Sequence, residues 1–124
     1  MARRRIDPAQ GMAALRSWHA DPGRAPRATV LLAVRFSLQE LEESHPGRSV
    51  EVRVPPAGAV QILRGTVHRR GTPPAVVETD MATWLALAVG DLEWSQAEAR
   101  GRVQASGQRA DLAPLLPVFT AAEV

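Results

Sequence analysis

The spacing of apolar residues changes near residue 49, and this change constrains the fold more than any other feature of the chain. In SVEVRVPP, residues 49–56, every second residue up to Val54 is valine, while Glu51 and Arg53 alternate with them. This alternation predicts a strand with one buried face. The segments before it repeat at helical spacing instead. A chain that contains both periods must pack helices against a sheet, so the sequence predicts an α+β domain.

Two helices are predicted before this strand. Asp7 is a natural N-cap for the first, with Pro8 at its first helical position, and the helix should end near His19, before the breaker DPG. The second should begin within PRATV, residues 26–30, and end at Pro46. Its buried face is predicted from the i, i+3, i+7 pattern of Leu31, Val34, Leu38 and Leu41.

Two more strands are predicted after the first. A turn at PPAG leads into a strand within residues 59–68, the loop HRRGTPP follows at 68–74, and AVVET at 75–79 forms the third strand. With a further strand at RVQAS, residues 102–106, we expect a mainly antiparallel sheet of four to five strands. Its first three strands should form a meander, and helices should cover one face.

The most apolar helix is predicted in TDMATWLALAVGDLEW, residues 79–94. Thr79 or Asp80 can cap it and Gly90 can end it. The sequence SQAE at 95–98 resembles a capping box for another short helix, which Gly101 closes. The prolines in DLAPLLPVF, residues 111–119, permit only a short or broken helical piece. The apolar stripe of the main helix consists of Met81, Trp84, Leu85, Ala88 and Leu92.

The sequence pI of about 10.9 does not indicate a nucleic-acid-binding protein. All fifteen basic residues are Arg, and no Lys, Tyr or Cys is present to titrate a formal charge of +2 down to zero. Residues 1–27 carry six Arg against two acids, whereas residues 28–124 carry nine Arg against eleven. The basic clusters are RRR at 3–5 and HRRGT at 68–72, and neither contains an aromatic residue. The whole chain has only five aromatic residues, too few for a base-stacking platform beside them. A solvated turn and a flexible tail are the simpler interpretation of these clusters, and if the clusters bind a partner, anionic lipid headgroups suit them as well as nucleic acid.

The residues that carry chemistry are sparse. Three histidines, at 19, 45 and 68, stand far apart without metal-ligand spacing, and zero Cys excludes thiol catalysis. Neither a nucleophile elbow nor a phosphate-cradling glycine motif occurs. Glu78 and Asp80 could form a carboxylate pair, but an acidic helix N-terminus is the simpler interpretation. We therefore expect no enzyme, no cofactor and no metal site.

The length of 124 residues predicts a single domain, with residues 1–6 as a flexible basic tail. The start MARRRIDPAQ has no apolar region behind its charges, so no secretory or twin-arginine signal is expected. The longest apolar runs are far shorter than the roughly 20 residues of a membrane span. These features predict a soluble, cytoplasmic protein.

From residue 79 onward the pattern resembles the sterol carrier protein type 2 family of non-specific lipid-transfer proteins. The resemblance is carried by Thr79-Asp80 opening a helix, by WLALAVGDLEW with its Gly-x-Leu turn, by SQAEARGRVQASG, and by DLAPLL. VEVRVPPAGAVQILRG and RGTPPAVVETD extend it to the bacterial branch found in actinobacteria. Where the family has a basic residue in Gly-Lys-Leu, this chain has Asp91, so no headgroup or CoA role is carried over to that position.

The resemblance implies an apolar cavity between sheet and helices for a fatty acyl chain, an acyl-CoA or a sterol, without catalysis. For each residue of the expected lining, plain core packing is the competing interpretation. The alternatives are a ligand-free interaction module, including a homodimer, and a non-catalytic domain related to mycothiol-dependent maleylpyruvate isomerase-like enzymes. The expected lining consists of Val52, Ile62, Trp84, Leu85, Ala88, Leu92, Leu115, Leu116 and Phe119.

Overall fold

The computed structural model describes residues 5–65, 75–107 and 110–124, and it confirms the α+β class. Within these ranges a four-stranded sheet is combined with four α-helices. In chain order the elements are α1 (Pro8–Ala20), α2 (Arg27–Ser44), β1 (Pro46–Val54), β2 (Gly58–Ile62), β3 (Ala75–Thr79), α3 (Met81–Val89), α4 (Trp94–Ala99), β4 (Val103–Ser106) and a 3₁₀ turn (Ala113–Leu115).

The first two helices lie directly against each other. The Asp7 carboxylate accepts a hydrogen bond from the backbone N–H of Gln10, as expected for the N-cap of α1. Gly11 faces the ring of Phe36 on α2 so closely that a Cβ atom at position 11 would lie 2.2 Å from that ring. A residue without a side chain at this position therefore permits the close approach of α1 and α2.

The sheet has the strand order β2-β1-β3-β4, so the predicted meander is wrong. β1 pairs antiparallel with β2 but parallel with β3, and β3 pairs antiparallel with β4. Burial gives the physical reason. The strands with the most completely buried alternate residues, β1 and β3, occupy the centre, whereas β2 and β4 expose more of their length and form the edges.

The predicted alternation of buried and outward-facing residues is confirmed in β1. Val50, Val52 and Val54 are fully buried, while Glu51 is half-buried and Arg53 is exposed. α2 packs against β1, β2 and α3, so its apolar side and the valines of β1 contribute to one core. The helices thus cover the face of the sheet that the sequence marks as buried.

A bulge lies at the start of β1, where the predicted end of the second helix falls. The pairing of β1 with β2 shifts register between Pro46 and Val50. Gly47 has φ 153°, and a Cβ atom there would lie 2.0 Å from the backbone of Leu63. Glycine at this position allows the chain to leave α2 at Ser44 and enter the sheet at once.

Two stretches with predicted roles fall wholly or partly outside the described residues. HRRGTPP at 68–74, with its basic cluster, lies outside, as do Arg3 and Arg4 of the amino-terminal cluster. The next two residues contact α2: Arg5 forms an ion pair of 2.6 Å with Glu43, and the backbone N–H of Ile6 donates to Oε1 of Gln39.

Candidate functional site

Helix α3 is held by defined caps at both ends. The Asp80 carboxylate accepts hydrogen bonds from the backbone N–H and the hydroxyl of Thr83, at 3.1 and 2.6 Å. Partial burial on its own raises the pKa of Asp80, but these hydrogen bonds outweigh it and leave the pKa below its ordinary value. At the other end Gly90 adopts the left-handed conformation, with φ 85°, as predicted. Of the two candidate caps, Asp80 is therefore the one used, while Thr79 donates to the carbonyl of Arg102.

Helix α4 begins one residue before the predicted capping box. Its N-cap is Glu93, whose side chain accepts from the backbone of Gln96, while the Gln96 side chain accepts from the backbone N–H of Glu93. The predicted cap at Ser95 is therefore wrong, because Ser95 already lies inside the helix. As a result Trp94 is the first helical residue, and it is buried with 5% of its surface exposed.

The carboxyl-terminal segment, residues 110–119, lies against the end of α3. The backbone N–H groups of Val118 and Phe119 both donate to the carbonyl oxygen of Ala88, at 2.9 and 3.0 Å. The ring of Phe119 stacks on that of Phe36, with centroids 5.8 Å apart. These contacts fix the position of the short 3₁₀ turn and of the apolar residues around it.

Between α4, the end of α3 and this segment lies a cleft of about 540 Å³, called here the α3–α4 cleft. Its walls combine apolar side chains, the Trp94 ring among them, with three carboxylates. The lining residues are Leu87, Gly90, Leu92, Glu93, Trp94, Ser95, Glu98, Asp111, Ala113, Leu116 and Pro117.

The charged residues that line the cleft within the described ranges are all acidic: Glu93, Glu98 and Asp111. Two of them also have local structural roles, since Glu93 caps α4 and Asp111 accepts a hydrogen bond of 2.9 Å from the backbone N–H of Ala113. Glu98 is exposed. The described lining of the cleft therefore contains acidic side chains and no basic one.

Two of the nine residues predicted as a ligand lining, Leu92 and Leu116, line this cleft, and both are half-buried. Leu115 is also half-buried but does not line the cleft, although it is the neighbour of Leu116. The other six are buried members of the core: Val52, Ile62, Trp84, Leu85, Ala88 and Phe119.

Trp84 is completely buried, and its one polar atom is paired. The indole N–H donates to the hydroxyl oxygen of Ser37 at 2.8 Å, and that hydroxyl donates in turn to the carbonyl of Val34 at 2.9 Å. Ser37 is itself fully buried. This chain of hydrogen bonds satisfies the polar groups that accompany Trp84 into the core.

Trp94 differs from Trp84 in this respect. Its indole N–H is buried but has no hydrogen-bond partner among the described residues. Sequence reasoning missed Trp94 because it lies outside the apolar stripe of α3. The sequence does contain a signal for Trp94, because it stands directly before the capping sequence SQAE. A tryptophan there introduces an indole N–H donor that needs an acceptor if the ring is buried.

The Gly-x-Leu turn between α3 and α4 is tied to the first helix. His19, near the end of α1, lies 3.0 Å from the Asp91 carboxylate through Nε2. Asp91 stands between Gly90 and Leu92, which both line the cleft. The residue at which this chain departs from the resembled family pattern thus contacts α1.

Two further features are absent from residues 5–65, 75–107 and 110–124. No three His, Asp or Glu side chains there are grouped as metal ligands. None of the helices in that part of the chain combines the length and the apolar character needed to cross a bilayer.

Comparison with known proteins adds one match. The model of a protein family described as bacterial SCP ortholog, where SCP stands for sterol carrier protein, matches residues 26–118, which is more than half of the chain. This range contains all eleven residues that line the α3–α4 cleft. No curated protein matches the sequence.

Proposed function

Because the chain belongs to the bacterial family of sterol carrier protein orthologs, we propose that it binds an apolar small molecule in the α3–α4 cleft and carries it without catalysing a reaction. The family indicates a sterol or lipid carrier in general. The candidate ligands are a fatty acyl chain, an acyl-CoA and a sterol. The observation that carries the proposal is the cleft itself, an apolar concavity formed within the matched region.

The dimensions and the chemistry of the cleft support this function. Its volume of about 540 Å³ lies in the range of small-molecule pockets, roughly 300–1,000 Å³. Such pockets combine mainly apolar walls with a few polar groups that orient the ligand. Leu92, Trp94 and Leu116 supply apolar wall here, and the carboxylates supply polar groups.

The predicted lining has two roles in this proposal. Leu92 and Leu116 contact the ligand directly. The six buried residues of the set form the packed core behind the cleft, and one of them, Ala88, holds the carboxyl-terminal segment in place through its carbonyl oxygen. Truncation of a supporting residue would then reduce stability and binding together, whereas truncation of Leu116 would mainly reduce binding.

Adjacent leucines allow a matched test of the proposal. Leu115 and Leu116 are both half-buried, but only Leu116 lines the cleft. Nile red, an uncharged apolar dye, is titrated into wild-type protein, Leu116→Gln and Leu115→Gln, with the free energy of unfolding measured for each. We expect saturable dye binding that is weakened about tenfold or more by Leu116→Gln, because a polar group replaces apolar wall. Leu115→Gln should leave the affinity within about threefold of wild type.

The same protein can be tested for its natural cargo. Native mass spectrometry of the purified protein, followed by extraction and identification of any bound lipid, would reveal the ligand. Absence of saturable Nile red binding in folded wild-type protein would overturn the carrier proposal. Equal losses of dye affinity in the two leucine variants would place the binding site somewhere other than the cleft.

A further inference from the structure

We infer that the outer edge of β2 binds an acidic peptide segment in an extended conformation, so that the peptide becomes a further strand of the sheet. The site is a groove between one face of α2, residues 35–43, and the edge of β2, residues 58–61, called here the β2-edge groove. It shares no lining residue with the α3–α4 cleft, and the inference does not depend on the proposed function.

The outer side of β2 carries backbone groups that β1 does not use. β2 is the last described strand on its side of the sheet. The backbone N–H of Ser49 donates to the carbonyl of Leu63 at 3.0 Å, which makes these residues a hydrogen-bonded pair of the β1–β2 ladder. Bonded and non-bonded pairs alternate in an antiparallel ladder, so Val52 and Val60, three positions further on, are a non-bonded pair. The backbone N–H and C=O of Val60, and those of Gly58, therefore point away from β1 and can pair with another strand.

The shape beside this edge suits an extended chain. Two concavities of about 380 and 430 Å³ share Glu42, Ala59 and Val60, so they form one continuous groove. Neighbouring side chains on a strand point to opposite faces of a sheet, so a groove that both Ala59 and Val60 line must follow the edge of the strand. The other wall is a face of α2, on which Arg35, Leu38 and Glu42 follow each other at helical spacing. A groove with open main-chain groups along one wall fits a peptide that binds by strand addition.

Two arginines give the groove its preference for an acidic occupant. Arg35, beside the start of β2, donates from Nε to the carbonyl oxygen of Ala57 at 2.9 Å, and its terminal nitrogens have no described partner. Arg48 lines the groove together with Gln61 near the other end of β2, and no described carboxylate pairs with it. Guanidinium nitrogens of this kind bind carboxylates with two parallel hydrogen bonds. Residues 57 and 61 are four positions apart, roughly 13 Å along a strand, so two acidic residues at that spacing on a peptide match the two arginines.

The acidic residues of the groove do not offset these two arginines. Glu43 forms its ion pair with Arg5 at 2.6 Å, and Glu51 pairs with Arg53. Glu42 also has a partner. The carboxylates of the lining are thus engaged elsewhere, and the guanidinium groups beside the two ends of β2 remain available to a ligand.

The same charges argue against a second copy of this chain as the occupant. If two β2 strands paired about a two-fold axis at Val60, the start of one strand would lie opposite the end of the other. The Arg35 end of each copy would then meet the Arg48 end of the other copy. Like charges would face each other at both ends of the interface, whereas an acidic peptide meets opposite charges there.

Three capped, fluorescein-labelled hexapeptides test the inference on the wild-type protein by fluorescence anisotropy. The first is Glu-Val-Thr-Val-Glu-Val, the second has lysine in place of both glutamates, and the third is the acidic peptide with all its backbone nitrogens methylated. We expect saturable binding of the acidic peptide, about tenfold or more tighter than that of the lysine peptide, and weaker binding as salt is added. The methylated peptide should bind about tenfold more weakly, because it has no N–H groups to donate to β2.

The spectra of the wild-type protein locate the bound peptide. In ¹H–¹⁵N spectra the acidic peptide should shift the amides of Gly58 and Val60 and slow their exchange with solvent, because these groups point outward. The amide of Gln61 faces β1 in the alternating ladder, so its exchange rate should stay the same.

Variants at the two arginines test the charge preference. Arg35→Gln and Arg48→Gln should each weaken binding of the acidic peptide about three- to tenfold and leave the lysine peptide unaffected or bound more tightly. Arg27→Gln is the matched control, because Arg27 is an exposed arginine of α2 that does not line the groove. Thermal unfolding shows whether each variant is folded, and the wild-type spectra and peptide series decide the question if one is not.

Several results would overturn the inference. Absence of acidic-peptide binding would do so, as would equal or tighter binding of the lysine peptide, or binding that leaves the Gly58 and Val60 amides unmoved. Displacement of bound Nile red by the acidic peptide would place the peptide in the α3–α4 cleft instead. Dimers in analytical ultracentrifugation whose formation shifts the same two amides would assign the edge to a second copy. All of these results leave the proposed function standing, because that function fails only if Nile red does not bind.

Discussion

At the scale of single residues, the two tryptophans at 84 and 94 define the difference between core and site. Both are buried, and each carries one donor. Trp84 is fully enclosed and donates to Ser37, whereas Trp94 borders the cleft with its donor unpaired. Helical spacing reveals that a face is buried, but it does not reveal whether side chains or a cleft lie opposite. This is why the predicted lining contained Trp84 and not Trp94.

Replacement of Ser37 by alanine tests the pairing of Trp84. The change removes the acceptor and leaves a fully buried indole N–H without a partner, so we expect Ser37→Ala to lower the free energy of unfolding by about 1–3 kcal/mol. Urea denaturation at neutral pH measures the change. In a double-mutant cycle with Trp84→Phe, the second substitution should cost less in the Ser37→Ala background. If the losses in free energy of unfolding of the two single variants simply add up in the double variant, the hydrogen bond contributes little.

At the scale of secondary-structure elements, the cap of α3 predicts a pH dependence. Asp80→Ala should lower the free energy of unfolding at pH 7 by about 1 kcal/mol, because it removes the hydrogen bonds to Thr83. The pKa of Asp80 in the folded state lies below the ordinary 3.8. Its stabilisation is therefore fully present above that value and is lost as the pH falls through the folded-state pKa.

Denaturation curves at a series of pH values between 7 and 2 measure this effect. The difference between wild type and Asp80→Ala should shrink at the acidic end of the series. Asp21→Ala is a suitable control, because the Asp21 side chain is exposed and its carboxylate lies 3.8 Å from Arg24, too far for a hydrogen bond. A difference for Asp80→Ala that stays constant over the whole series would contradict a charged cap.

The contact between α1 and α2 gives a second prediction for an element. In an open helix Gly→Ala is stabilising by about 1 kcal/mol, but a Cβ atom at position 11 would lie 2.2 Å from the Phe36 ring. We expect Gly11→Ala to destabilise the protein by about 1–3 kcal/mol through overpacking. Chemical denaturation measures it, with Gly23→Ala as control because no atom lies within 4 Å of a Cβ atom there. In the Gly11→Ala background, Phe36→Leu should recover part of the lost stability, because its side chain is smaller. If it recovers none, the destabilisation does not come from a clash with the Phe36 ring.

Element types could be predicted from sequence more completely than the pairing of the strands. The valines at 50, 52 and 54 identify β1, and Gly90 marks the end of α3, because both signals are local. The parallel pairing of β1 with β3 is not local. It depends on how much surface each strand buries in the finished sheet. The residue pattern of a single strand does not contain this information.

At the scale of the whole molecule, the cleft exists because distant parts of the chain meet. Phe119 stacks on Phe36 of α2, and Arg16 of α1 donates from Nε to the carbonyl oxygen of Glu123 at 3.0 Å. His19 reaches Asp91 at the turn that precedes α4. Most wall residues of the cleft belong to elements that could be predicted, whereas Glu93 and Trp94 lie before the predicted start of α4. The concavity itself results from the docking of the carboxyl-terminal segment, and no sequence period encodes that docking.

Truncation of Phe119 tests whether this docking forms the cleft. Phe119→Ala removes a ring that is 5% exposed and stacked on Phe36, so we expect a loss of about 3–5 kcal/mol in the free energy of unfolding. Residues 111–117, which supply four of the cleft-lining side chains, should then be held less firmly. Hydrogen exchange would report this as faster exchange of the Val118 and Phe119 amides, which donate to Ala88.

The binding of Nile red in the same variant connects the docking to function. If the segment forms a wall of the site, dye affinity should fall in Phe119→Ala under conditions where most of the protein remains folded. Val118→Ala is the matched control, because it shortens a half-buried neighbour whose backbone donates to the same carbonyl and which does not line the cleft. It should cost less stability and leave dye affinity close to wild type. Unchanged affinity in folded Phe119→Ala, with faster amide exchange, would mean that the ligand is held without the carboxyl-terminal wall.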